Sequence, residues 1–308
     1  MARVRTPSGE QIELHFGSQQ AVVVEVGGGL RTYGVDGRDV VYGYGMDETC
    51  TAGRGQVLMP WPNRLEDGSY EFAGRRHQLP LTESTAGNAI HGLTRWVPWR
   101  VLDREAHRVV LAYALPPQPG YPFQLDLELE YTLSARGLRV RATATNVGAA
   151  ACPFGAGAHP YLSAGGATVD RHVLRLPASR VLRANERGLP VGVDAVDGTP
   201  FDFRSGRPFG DLVLDHCFTG LERDADGLAV VELEDPAGDV TRLWLDDTYG
   251  YVMVFTGDTT ADVARRGVAI EPMTCPPNAF RSGEGLQRLE PGASTTSEWG
   301  IVPAALAP

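Results

Sequence analysis

The chain has 308 residues, 43% of them hydrophobic and 21% charged, which is ordinary globular composition with room for two average domains or one large all-β fold. Its formal net charge of −10 excludes the basic face a nucleic-acid partner would need, and no apolar run approaches the ~20 residues of a membrane helix. All 28 basic residues are arginine, which excludes Schiff-base chemistry, pyridoxal-phosphate anchoring and the lysine of a phosphate-binding loop, so any carbonyl chemistry must be acid–base chemistry.

The opening stretch Met1-Ala2-Arg3-Val4-Arg5-Thr6-Pro7 has basic residues but no apolar region after them, so no export signal is read and a cytoplasmic location is expected. Gln11–Phe16 and residues 20–26 read as short strands separated by Gly17-Ser18. The Gly27-Gly28-Gly29 run that follows leads into no helical pattern, and neither GxGxxG nor GxxxxGK[ST] occurs, so nucleotide fingerprints are missing. His15 reads as an exposed strand residue. Near Trp61-Pro62-Asn63-Arg64-Leu65 an apolar run meets a charge, then Asp67-Gly68 signals a turn and a hairpin follows through Tyr70, Phe72 and Ala73-Gly74. Arg64 either caps a strand or offers its fork of donors to hydroxyls or a carboxylate in a pocket.

Asn88-Ala89-Ile90-His91-Gly92 sets a histidine against a glycine, with Trp96 and Trp99 close behind; His91 could simply pack on tryptophan. From there to residue 147 the pattern is sheet-like. Residues 123–131 and 138–142 alternate strictly, implying antiparallel neighbours with one wet and one buried face, joined by a turn at 134–137. Next comes Cys152-Pro153-Phe154-Gly155-Ala156-Gly157-Ala158-His159-Pro160-Tyr161. Pro160 forces His159 into extended backbone, and the small residues before it leave open space beside the imidazole.

Residues 184–208 form a polar Gly/Pro/Asp-rich passage read without strands. In Leu212-Val213-Leu214-Asp215-His216-Cys217-Phe218, Asp215 is a charge among apolar neighbours that needs a partner. A His216–Cys217 thiol nucleophile is disfavoured because adjacent strand residues face opposite ways. Strands are expected at 228–233, 241–245 and Tyr251–Phe255. Then Val268-Ala269-Ile270-Glu271-Pro272 ends an apolar run in a carboxylate, which is either hydrogen-bonded structure or a general base. No convincing helix, repeat or linker appears, so residues 1–308 read as one β-rich domain. The cysteines at 50, 152, 217 and 275 lack metal or disulfide spacing, and no metal is expected.

Taken in order, Asn63-Arg64 with Gly68, Phe72 and Gly74, Asn88-Ala89-Ile90-His91-Gly92, His159-Pro160-Tyr161, Asp215 with Phe218, and Ile270-Glu271-Pro272 resemble the aldose 1-epimerase (galactose mutarotase) family. Residues 273–280, Met-Thr-Cys-Pro-Pro-Asn-Ala-Phe, look like its bacterial branch that includes sulfoquinovose mutarotase-like proteins. Leu93, where a second glycine is usual, and the tail after Glu271 depart from the galactose enzymes and leave the sugar open. The resemblance implies an all-β fold, a large antiparallel β-sandwich of the super-sandwich type, acting as a monomer or homodimer on a small-molecule sugar without a cofactor. It implies His159 as general acid and Glu271 as general base, with His91 and Arg64 on sugar oxygens and Asp215 on hydroxyls. Two other readings stay open on the same fold: a hexose-6-phosphate 1-epimerase, with Arg54 and Arg95 as candidate phosphate ligands, and a non-catalytic sugar-binding or sensor protein.

Overall fold

The computed structural model describes residues 6–306. The expectation about an export signal rests in part on residues 1–5, outside that range. Strands make up most of the regular structure, and every pairing between them is antiparallel.

The larger sheet has nine strands in the order Arg100–Arg104, Arg108–Leu115, Leu125–Ser134, Gly137–Asn146, Ser294–Val302, Val240–Leu245, Ala229–Glu234, Val173–Arg175 and Arg207–Pro208. Its centre follows from period-2 patterning. Leu125, Leu127, Leu129, Tyr131 and Leu133 point into the core while Asp126 and Glu128 are exposed. The partner strand registers Leu129 on Ala142 and Ser134 on Gly137, so the expected turn and both faces are found where the alternation put them. On the wet face Arg108 and Arg139 bridge Glu130, and Arg141 reaches Glu298.

The second sheet has eight strands. Six of them run in the order Pro190–Ala195, Ala178–Ala184, Asp215–Leu221, Tyr251–Phe255, Gly267–Met273 and Gly157–Ala158, with Val57–Leu58 at the far edge and Tyr161–Ser163 also pairing Gly267–Met273. The two sheets pack over one large apolar core to which both contribute, including Leu129, Tyr131, Phe218, Val252 and Ile270. A four-stranded N-terminal sheet, Gln11–Phe16 to Arg38–Asp39, flanks it.

Two sequence readings need correction. The passage 184–208 is not strand-free: Pro190–Ala195 pairs with Ala178–Ala184 as an edge hairpin. It escaped the pattern because most of its residues are exposed on both faces, so no alternation marks it. His91 packs on the ring of His159, not on a tryptophan. The only α-helix among the described residues is the single turn Ala279–Ser282, and no helix there is long and apolar enough to cross a membrane.

Candidate functional site

The strand Gly267–Met273 lies in the middle of the eight-stranded sheet and is buried at every residue. Alternation turns Ile270 toward the large core and Glu271 to the opposite face. There Glu271 registers on Met253 and through it on Cys217, while Phe255 and Asp215, on the same face, form the next such row with Ala269. That face forms the floor of a cleft of about 330 Å³ lined by all five predicted residues, Arg64, His91, His159, Asp215 and Glu271. Five positions far apart in sequence therefore meet in one place.

His159 arrives from the adjoining segment, and its main chain is clamped. Its N–H donates to Gln56 O at 3.0 Å, and its carbonyl accepts from Gly55 N at 2.9 Å. Tyr161 stacks on the imidazole, ring centroids 5.2 Å apart and nearly parallel, while its hydroxyl donates to Ala52 O. Across the ring lies Gly53, with φ +72°; a Cβ there would stand 2.7 Å from His159 Cδ2, so only glycine lets the backbone pass so close. The stretch after Glu271 completes the support. Thr274 exchanges hydrogen bonds with Ala156 through its backbone N–H and its hydroxyl, and Asn278 donates to Arg64 O and accepts from Glu66 N.

His159 Nε2 stands 3.3 Å from Glu271 Oε1, and the two residues are 4% and 2% exposed. Burial acts on both in opposite senses. It drives the Glu271 carboxyl well above its usual range, helped by Asp215 and opposed by Arg64, and it pushes His159 down to about 3, assisted by the Arg95 charge. Each shift disfavours a charge in the dry floor, so burial favours the neutral carboxylic acid beside the neutral imidazole. Glu271 Oε2 and His159 Nδ1, both shielded from solvent, have no hydrogen-bond partner. Buried polar atoms left unpaired are rare in folded proteins, and two of them on adjoining residues are a local departure from that rule.

His91 is fixed by a reciprocal clamp with Asn63. The His91 N–H donates to Asn63 O at 2.9 Å, and the Asn63 N–H donates to His91 Nδ1 at 3.1 Å. Both residues have positive φ, 64° and 54°, a conformation non-glycine residues hold only when their surroundings impose it. Burial lowers the His91 pKa well below its ordinary value, with the nearby Arg95 and His159 adding to the effect. A neutral ring that accepts at Nδ1 carries its proton on Nε2, so His91 is a hydrogen-bond donor.

Arg64 stands between two acids. Its Nε donates to Glu83 at 3.1 Å and Nη2 to Asp215 Oδ2 at 3.3 Å. Burial opposes its charge, yet the two carboxylates hold its pKa above the usual value. Asp215 thereby finds the partner its apolar neighbours required. Glu83 went unrecognised in the sequence, where it lies in a polar turn with nothing to mark it. Asn63 and Gly53 were also missed as supports, because their roles are visible only in backbone angles and through-space approach. Arg54 does not line the cleft. It is 6% exposed, donates to Gly43 O and Thr51 Oγ1, and lies between the rings of Tyr42 and Tyr44, so it is not free to bind a phosphate. Cys50 does line the cleft, but burial raises its thiol to about 11, away from thiolate chemistry. Among the described residues no cluster of three His, Cys, Asp or Glu side chains could hold a metal ion.

Residues 10–301 match the family model of aldose 1-epimerase. The chain is 36% identical over 286 residues to the uncharacterized protein YihR of Escherichia coli (strain K12), covering 92% of this chain and 90% of that one. Among solved structures, it is similar to the GalM/aldose epimerase homologue from C. elegans, with a TM-score of 0.84, 18% identity, and 95% and 98% of the two chains covered. It is also similar to galactose 1-epimerase from Lactobacillus acidophilus NCFM, with a TM-score of 0.79, 22% identity and 98% of each chain covered.

Proposed function

From the premise that the chain belongs to the aldose 1-epimerase family, we propose that it interconverts the α and β anomers of a hexose or hexose derivative by acid–base opening and closure of the ring. One observation carries the reading. A buried carboxyl group and an imidazole stand 3.3 Å apart on the floor of a cleft, where burial disfavours the charged form of each.

Anomer exchange needs that arrangement. In the charge-separated form of the pair, Glu271 carboxylate takes the proton of the C1 hydroxyl while the C1–O5 bond breaks and C1 becomes a carbonyl. His159 imidazolium gives its proton to O5. Rotation about C1–C2 presents the other face of the aldehyde. On closure O5–H returns its proton to His159 as oxygen attacks C1, and Glu271 protonates the former carbonyl oxygen. The pair ends as it began, so no outside proton, metal or cofactor enters the cycle. Each general acid or base of this kind contributes typically ~10²–10⁴-fold. His91, a neutral donor, suits a sugar oxygen that gains negative charge, and the Arg64–Asp215 pair offers both donors and acceptors to hydroxyls.

The experiment is the return of a freshly dissolved single anomer to equilibrium, followed by polarimetry or exchange NMR over a panel of neutral and acidic aldoses, with and without EDTA. Acceleration over buffer on at least one sugar, unaffected by EDTA, is expected. If no sugar is accelerated although some bind, the protein is a sugar sensor on this fold.

A further inference from the structure

A second cavity, of about 840 Å³, is larger than the cleft and shares no lining residue with it. It lies where four parts of the chain meet: residues 35–40 of the N-terminal sheet, the loop 163–167, the turn 235–239 between two strands of the nine-stranded sheet, and residues 303–305. Val35, Val40, Leu233 and Pro303 give it an apolar lining.

His172 sets this cavity apart. It lines the cavity, is 2% exposed, and its Nδ1 has no hydrogen-bond partner. Both of its main-chain groups are engaged, the N–H donating to Val169 O at 2.9 Å and the carbonyl accepting from Phe209 N at 3.1 Å. The imidazole is therefore the part of His172 with bonding capacity to spare. Burial lowers its pKa, opposed by the charges of Asp235 and Asp170 and by the Thr168 carbonyl, so the ring is neutral. With the proton on Nε2, Nδ1 is an acceptor, and a buried acceptor without a donor is costly.

The unanswered charges around it are negative. Arg38, the one cation in the lining, stands 3.7 Å from Asp239, while Asp39 and Asp235, also in the lining, form no ion pair among the described residues. Asp235 Oδ1 accepts from the N–H groups of Ala237 and Asp239 at 2.8 and 3.0 Å, which fixes its carboxylate. Carboxylates set around a concave wall of low dielectric focus a negative field into it. Among the described residues no three His, Cys, Asp or Glu side chains are grouped to hold a metal ion, so an organic cation suits the donors better than a bare one.

We propose that this cavity is a second binding site and that its ligand is a small aliphatic amine, an ammonium group on a short methylene chain. The ammonium N–H groups answer Asp235 and Asp39 and supply the donor that His172 Nδ1 lacks, while the methylenes cover the valine, leucine and proline lining. The chain has no lysine, so no side chain of a second copy carries such a group, and the amine is a free one. The proposal stands apart from the mutarotase reading, because its readout is binding alone.

Calorimetric titration at low ionic strength with 1,4-diaminobutane, butylamine and 1,4-butanediol tests it, on wild type, Asp235→Asn, Asp39→Asn, His172→Gln and Glu13→Gln. Glu13, an acid 66% exposed and outside the cavity, controls for loose attraction to a chain of net charge −10. The expected result is one amine bound per chain and no binding of the diol. Asp235→Asn, whose amide oxygen still holds the turn, weakens binding by about 10-fold, and Asp39→Asn, at an exposed position, by about 2–5-fold. His172→Gln weakens it too, and Glu13→Gln leaves it unchanged. Three results overturn the proposal: no heat of binding from either amine at about 10 mM, equal binding of amine and diol, or losses no larger in the aspartate variants than in Glu13→Gln. Should His172→Gln fail to fold, the two aspartate variants carry the decision.

Discussion

The two sheets of this molecule obey different rules. In the nine-stranded sheet every device is an ordinary one: strict alternation along Leu125–Ser134, leucines and a tyrosine inward, and arginine–glutamate bridges on the wet face. In the eight-stranded sheet the central strand is buried along its whole length, a carboxyl group sits in its floor, and buried polar atoms go unpaired. Beside it two non-glycine residues hold left-handed backbone. The contrast teaches that the first sheet makes stability and the second consumes some of it to hold a reactive pair dry. Natural chains depart from local rules chiefly at functional sites, and several departures here, those of Asn63, His91, His159 and Glu271, meet at one cleft.

The contrast breaks most readily at His159. Replacement by asparagine keeps a polar side chain but removes the proton carrier for the ring oxygen, so the catalysed anomerisation rate should fall by ~10²–10⁴-fold. The melting temperature should hold or rise, because a strained, partly unsatisfied site has been relieved. A rate within a few-fold of wild type would show that the acid is another group. On the other sheet the expected pattern is reversed. Leu129 is fully buried, and Leu129→Ala should cost about 2–5 kcal/mol in denaturant unfolding while the rate per folded molecule is unchanged. Smallest of all, Arg139→Ala on the wet face of that sheet should cost no more than about 1 kcal/mol, since its side chain is 41% exposed and its bridges are screened.

The sequence made the first sheet legible because its information is local. Period-2 alternation at residues 123–131 and 138–142 names the strands, the turn and the buried face at once. It also made the site's members legible one by one: histidine or glutamate before proline, a histidine before glycine, an aspartate among apolar residues. What it could not supply is the distance between them. Glu271 meets His159 only through the pairing of strands that lie more than 100 positions apart in the chain, and no local pattern encodes that. The family resemblance bridged this gap for the fold. Glu83, Gly53 and the edge strand Pro190–Ala195 stayed hidden, the first two because their function is a through-space contact and the last because solvent on both faces erases the alternation. Arg54 misled for the opposite reason: its residue type suited an anion, but its donors are already used inside the protein.

The central claim is that the buried pair moves the protons of anomer exchange, and Glu271→Gln tests it most directly. The amide has nearly the same shape and can still hydrogen-bond a sugar, but it cannot accept the C1 proton. Anomer exchange by NMR and sugar affinity by calorimetry, on wild type and variant at equal concentration, separate binding from chemistry. The account predicts a rate lowered by ~10²-fold or more with affinity changed little. A variant that binds the sugar and keeps the full wild-type rate would contradict it.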